Sequence, residues 1–154
     1  MKRKIRRIDR ATPESEARGI LQKGEYGILS TVSDDGQPYG VPLSFSYAGD
    51  VIYFHCALEG QVVDNINTNK RVSFCVVGKT EVLPDKFSTK YESVIVHGTV
   101  TEVNGDEKQQ GLLELIKKYS PGYIKEGLQY IHRDGGKTRV YKITIDSLSG
   151  KSRN

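Results

Sequence analysis

From Tyr26 onward the chain alternates with a period of two, and this restricts its fold more than any other feature. Tyr26, Ile28, Ser30 and Val32 alternate with Gly27, Leu29 and Thr31, up to Asp34-Asp35-Gly36, a strong hairpin turn. In the next strand Tyr39, Val41, Leu43, Phe45 and Tyr47 share one face, while Gly40, Pro42, Ser44 and Ser46 share the other. A face of small side chains leaves backbone open to close approach by something flat. Pro42 also removes an amide from the ladder, so it belongs at an edge or a bulge. A solvent-facing side with an irregularity reads the same way. Ala48-Gly49-Asp50 then turns the chain into the apolar run Val51-Ile52-Tyr53-Phe54.

Further strands follow. Arg71 to Val77 places Val72, Phe74 and Val76 on one face, and Tyr91 to Val103 is the longest, interrupted by Gly98 at a bulge or barrel corner. Arg139 to Ile145 is the last. Between Val77 and Tyr91, the segment Gly78 to Lys90 is polar and contains Pro84, so it reads as a loop. Helical spacing occurs after Thr12-Pro13-Glu14, where Thr can cap and Pro suits the first helical position, with Ala17, Ile20 and Leu21 as its stripe. It recurs from Asp106 to Tyr119, stopped by Ser120-Pro121-Gly122, and over Tyr123 to His132. Successive antiparallel strands with few helices predict a mainly β (α+β) domain. About six strands in such a chain can close into a small barrel flanked by short helices.

The length of 154 residues suits one domain, residues 1–154, with residues 1–11 as a basic N-terminal arm. Five of the 23 basic residues lie in the first seven positions; the remaining 18 face 19 acidic ones, so the body is close to neutral. A basic tail on a neutral body is usually just solvated, and no nucleic-acid partner is expected. No apolar run approaches the roughly 20 residues of a membrane helix, and the N-terminus lacks a signal peptide's apolar segment, so a cytoplasmic location with no membrane contact is expected. Cys56 and Cys75 read as reduced, packed thiols; with three scattered histidines no metal site is expected.

The stretch Val51 to Asn69 carries the chemistry. A strand ending in His55-Cys56, a break at Leu58-Glu59-Gly60, and Val62, Val63 and Ile66 at helical spacing give exposed amides beside polar side chains. The first amides of a helix lack partners and its dipole favours negative charge, so this geometry can hold an anion; an ordinary strand-to-helix connection fits the same residues. Hydrolytic readings lack support, with no nucleophile elbow, P-loop or dinucleotide fingerprint. His55 and Cys56 are neighbours on a strand and point to opposite faces, so they do not make a dyad.

The run Tyr53-Phe54-His55-Cys56-Ala57-Leu58-Glu59-Gly60, with Asp64-Asn65-Ile66 and Asn69-Lys70-Arg71-Val72-Ser73-Phe74, resembles the signature of the 5-nitroimidazole-resistance (Nim) family. These proteins are FMN-binding split barrels related to pyridoxamine 5'-phosphate oxidase. Arg6 to Arg10, Tyr26 to Ser30, Gly36 to Tyr39 with Val41 to Phe45, Tyr91 to Gly98 and Ser149-Gly150-Lys151 add matches in the same order along nearly the whole chain.

The resemblance implies a six-stranded antiparallel split β-barrel and a homodimer with one flavin in each of two clefts between subunits. It implies that Val41, Pro42, Leu43 and Ser44 pass along the flavin, and that Phe54, His55 and Cys56 lie near the ring and ribityl chain. Gly60, Gln61 and Asn65 fall at the phosphate end, and Ser93 and Val94 contact a flavin, including one bound mainly by the partner subunit. His55 would be the catalytic residue, orienting a small-molecule substrate or donating a proton near the ring. The implied activity is FMN-dependent reduction of nitroaromatic compounds; the alternative is a non-enzymatic module binding flavin (FMN or FAD) or haem for storage or sensing. One position departs from the family: a lysine commonly stands two residues after the glycine, and here that residue is Val62. Lys70, Arg71 or a basic residue of the N-terminal arm would have to replace its charge at the phosphate.

Overall fold

In the computed structural model, which describes residues 3–154, the period-two segments form seven strands. They are β1 (Gly27–Val32), β2 (Pro38–Leu43), β3 (Ser46–Ala48), β4 (Val51–Ala57), β5 (Arg71–Leu83), β6 (Ser88–Val103) and β7 (Thr138–Arg153). Four helices accompany them: α1 (Glu14–Lys23), α2 (Gln61–Thr68), α3 (Gly105–Tyr119) and α4 (Ile124–Asp134). Every pairing is antiparallel, and the strands lie in the order β2-β1-β5-β6-β7-β4-β3.

The count differs from six because the alternation over Tyr39–Tyr47 does not make one strand. It breaks at Ser44-Phe45: β2 pairs with β1 at one end of the sheet and β3 with β4 at the other. Phe45 causes the break. Its ring is fully buried and meets Phe74 edge-on at 5.0 Å, while α3 clamps its backbone. The Phe45 amide donates to the Tyr119 hydroxyl at 3.0 Å, that hydroxyl donates to the carbonyl of Glu25, and Lys118 Nζ donates to the Phe45 carbonyl at 2.8 Å. Only two residues separate β2 from β3, so the sheet must curl until its two edges stand side by side. The sheet is not closed, because no ladder joins β2 to β4 among the described residues.

Two layers of core follow from the strand alternation. Leu29, Phe54, Phe74, Val96 and Tyr141 point inward, where α1 supplies Ala17, Ile20 and Leu21. Tyr53, Val103 and Val140 point the other way and pack under Leu112 and Leu115 of α3 and Ile131 of α4. Gly98 marks an irregularity as expected: the β6–β7 register shifts between His97 and Gly98, and a Cβ there would stand 2.5 Å from the Thr144 carbonyl oxygen.

Three local expectations are corrected. Gly78–Lys90 is not a loop; β5 and β6 continue as a ladder to Leu83 and Ser88, turning through Pro84–Lys86 and a left-handed Phe87 (φ 49°). Thr12 does not cap α1, since Pro13 stands at the N-cap position and the buried Thr12 hydroxyl has no partner among the described residues. The N-terminal arm, of which Met1 and Lys2 lie outside the described residues, is not simply solvated. Ile8–Arg10 form a 3₁₀ turn, Ala11 bridges to Lys151, and the Thr12 amide donates to Gly150 at 3.0 Å.

Candidate functional site

The break at Ser44-Phe45 leaves a split in the curled sheet. β2 pairs only with β1, so its outer edge is open. β4 pairs along its whole length with β7, but its other edge is covered only from Val51 to Tyr53, by β3. The β3–β4 register carried onward would place Ser44 opposite His55 and Leu43 opposite Cys56. The ladder stops before it reaches them. Two strand edges with unpaired amides and carbonyls therefore flank one gap, which is where a flat polar molecule can bond to backbone.

β4 leads from this gap into α2. Gly60 adopts φ 148°, a conformation that suits glycine, with open space where a Cβ would be. No side chain caps α2, so the amides of Gln61, Val62 and Val63 face outward without helical partners. Val62 itself packs partly against the core. Asp64 sits in the same turn and opposes an anion. A cation stands beside this turn: Arg139 of β7 donates from Nε to the Leu58 carbonyl at 2.7 Å and pairs with Glu102 at 3.1 Å. Nothing in the sequence around Gly60 indicates Arg139, which is brought there by the pairing of Cys56 with it across β4 and β7.

The expected residues separate into two sets. Val41 and Leu43 (half-buried), Pro42 and Ser44 (exposed), His55, Cys56, Gly60 and Gln61 lie on the strands and turn around the split. Phe54 and Val94 are fully buried core residues. Asn65 is also buried, its side chain spent in a polar chain from Gln61 Nε2 to Asn65 Oδ1 (2.7 Å) and from Asn65 Nδ2 to Thr31 (2.9 Å). Ser93 lies on β6, two strands from β4 and three from β2, about 10 Å or more along the sheet from this chain's split.

His55 and Cys56 point to opposite faces, as expected. Cys56 packs against the inner core, and burial pushes its thiol pKa up, so it is a poor nucleophile. His55 faces the α3–α4 layer. Part of its ring stays open to solvent, yet the walls around it hold its pKa below the usual histidine value by desolvation.

Ser93 belongs to a second feature. On the outer surface of the sheet, register places Pro42, Ile28, Cys75, Ile95 and Ser149 in one row across five strands. Gly40, Ser30, Ser73, His97 and Ser147 form the next row, and Val77, Ser93 and Lys151 lie in a third. The first two rows carry no formal charge with histidine neutral, and Ile95 and Val77 are 44% and 55% exposed.

The comparisons with known proteins agree with this architecture. Residues 13–152 match the family described as pyridoxamine 5'-phosphate oxidase. The chain belongs to that family. An uncharacterized protein of Rhizobium meliloti (strain 1021) is 27% identical over 152 residues, covering 93% of this chain and 94% of that one. Among solved structures, one described as a candidate 5-nitroimidazole antibiotic resistance protein from Bacteroides thetaiotaomicron superposes with a TM-score of 0.73 at 20% identity, over 92% of this chain and 85% of its own. The FAD and haem binding protein from Mycobacterium smegmatis gives 0.80 at 20% identity, over 93% and 72%. At such identities the solved structures establish the shared fold. None of the helices among the described residues is long and apolar enough to cross a membrane.

Proposed function

We propose that this pyridoxamine 5'-phosphate oxidase family member binds FMN in the split between β2 and β4 and acts as a flavin-dependent oxidoreductase on small acceptors of the nitroaromatic class. The observation that carries the reading is the split itself: two open strand edges running toward the uncapped start of α2, with Arg139 beside the turn. A flat ring with a charged tail matches those donors and acceptors. The strand edges from Val41 to Ser44 and from His55 to Ala57 would hold the ring and ribityl chain. The amides of Gln61 to Val63 and the guanidinium of Arg139 would hold the phosphate. When bound, FMN supplies a ring that takes up electrons from a reductant and delivers them to the acceptor.

The protein's part is positioning. Desolvation keeps His55 neutral near pH 7, so its imidazole orients a substrate by hydrogen bonding and is poorly suited to proton donation. The outer sheet face fits a homodimer, because its charge-free rows can pack against the same rows of a second copy. Ser93 lies on that face and would reach the neighbouring subunit's flavin.

The test is turnover. FMN-loaded protein supplied with a reductant and a nitroaromatic compound should reduce it faster than free FMN does, and His55→Ala should slow the reaction while FMN stays bound. A second reading, a non-enzymatic haem or flavin module, is favoured by a neutral His55 with an open ring nitrogen, and by the haem and FAD named for the Mycobacterium smegmatis protein. Binding without turnover above free cofactor would support it.

A further inference from the structure

On the side of β4 facing away from Cys56, a cavity of about 440 Å³ opens between α3, α4 and the start of β7. This volume lies in the range of small-molecule sites. Leu112, Leu115, Ile116 and Ile131 supply apolar walls, and the exposed Tyr130 stands at the margin. Polar groups gather at one end: His55, Thr138, Asp134 and Lys137. Lys137 is held by Asp134 at 2.9 Å, and Asp134 also pairs with Arg133 at 2.8 Å, so those charges answer one another.

The His55 imidazole is not spent in this way. Thr138 donates its single hydroxyl proton to the Cys56 carbonyl at 2.7 Å. Toward His55 Nδ1, at 3.4 Å, the same hydroxyl oxygen can therefore only accept. That contact favours the tautomer with the ring proton on Nδ1, in which Nε2 keeps a free lone pair. Among the described residues nothing donates to Nε2.

We infer that this cavity binds a small, flat, apolar molecule, with one or two rings, which donates a hydroxyl or N–H hydrogen to Nε2 of His55. Phenols, indoles and azoles have this chemistry. A carboxylate does not, because it would bring lone pairs against a lone pair. Thr138 is the positioning residue that fixes the acceptor. The inference rests on the cavity and His55, and it does not require flavin in the split.

The experiment titrates 2-naphthol into the purified full-length protein, following naphthol fluorescence and the imidazole signals by NMR. Saturation at one molecule per chain with the His55 signals displaced is expected. 2-Methoxynaphthalene, which lacks the donor, should bind about tenfold more weakly. Thr138→Val, checked for folding by circular dichroism, should shrink that preference severalfold. Absence of saturation, equal affinity for the two probes, or saturation that leaves the His55 signals in place would overturn the inference. FMN added to the naphthol-saturated protein should leave naphthol bound; one-for-one displacement would overturn a separate site. Protein that takes naphthol but no FMN would sink the flavin reading and support this one.

Discussion

Val62 leaves the start of α2 without the charge that the resembled nitroimidazole-resistance signature places there, and Arg139 is the cation held against the Leu58 carbonyl in the turn before it. Its guanidinium is shared with Glu102, so it supplies less than a free lysine would. Val62→Lys is therefore expected to tighten FMN binding by about 1–2 kcal/mol, and Arg139→Gln to weaken it by a similar amount, both measured by fluorescence titration. Lys118 makes a separate prediction. Burial holds its pKa down at about 8 while its ammonium lies 3.6 Å from the centre of the Phe45 ring. Between pH 8 and the ordinary lysine value the unfolded chain binds more protons than the folded one, so stability should rise with pH across that window. Urea unfolding at pH 8 and pH 10 measures this, and Lys118→Met should flatten the rise. The turn at Gly60 and the opposite facing of His55 and Cys56 were legible in the sequence because both are local. Arg139 was not, because it stands 81 residues from the carbonyl it holds and only strand pairing brings them together.

The crossover from β2 to β3 makes the split, and the alternation through it gave no sign of a break. Tyr39 to Tyr47 keeps a period of two, yet Phe45 leaves the ladder because Tyr119 and Lys118, more than 70 residues later, capture its amide and carbonyl. Tyr119→Phe removes the hydroxyl that joins Phe45 to Glu25 and should cost about 1–3 kcal/mol by thermal unfolding, with flavin binding weakened as the crossover loosens. The hairpin from Gly78 to Lys90 was misread for a different reason. Most of its residues are polar, and its few apolar ones, such as Val82 and Phe87, are exposed, so no continuous apolar face marks it as a ladder rather than a loop. Gly98, by contrast, was legible: a lone glycine in a long strand marks the register shift, where a side chain would meet the Thr144 carbonyl.

Away from the part that α3 and α4 cover, the outer sheet face is broad and open over β2, β1, β5 and the first half of β6, and the proposed dimer uses it. Period-two patterning made the strands themselves legible, but it did not reveal that Pro42, Ile28, Cys75, Ile95 and Ser149 share a row, since a row is a property of register between strands. Ile95→Lys places a charge in the middle of that row and should convert the dimer to monomer by sedimentation, with flavin affinity falling at the same time. The central claim, that the split between β2 and β4 holds FMN, is tested most directly by the visible spectrum of the purified protein titrated with FMN. The account predicts quenched, shifted flavin bands that saturate at one flavin per chain at micromolar concentration. Bands identical to those of free FMN throughout the titration would contradict it.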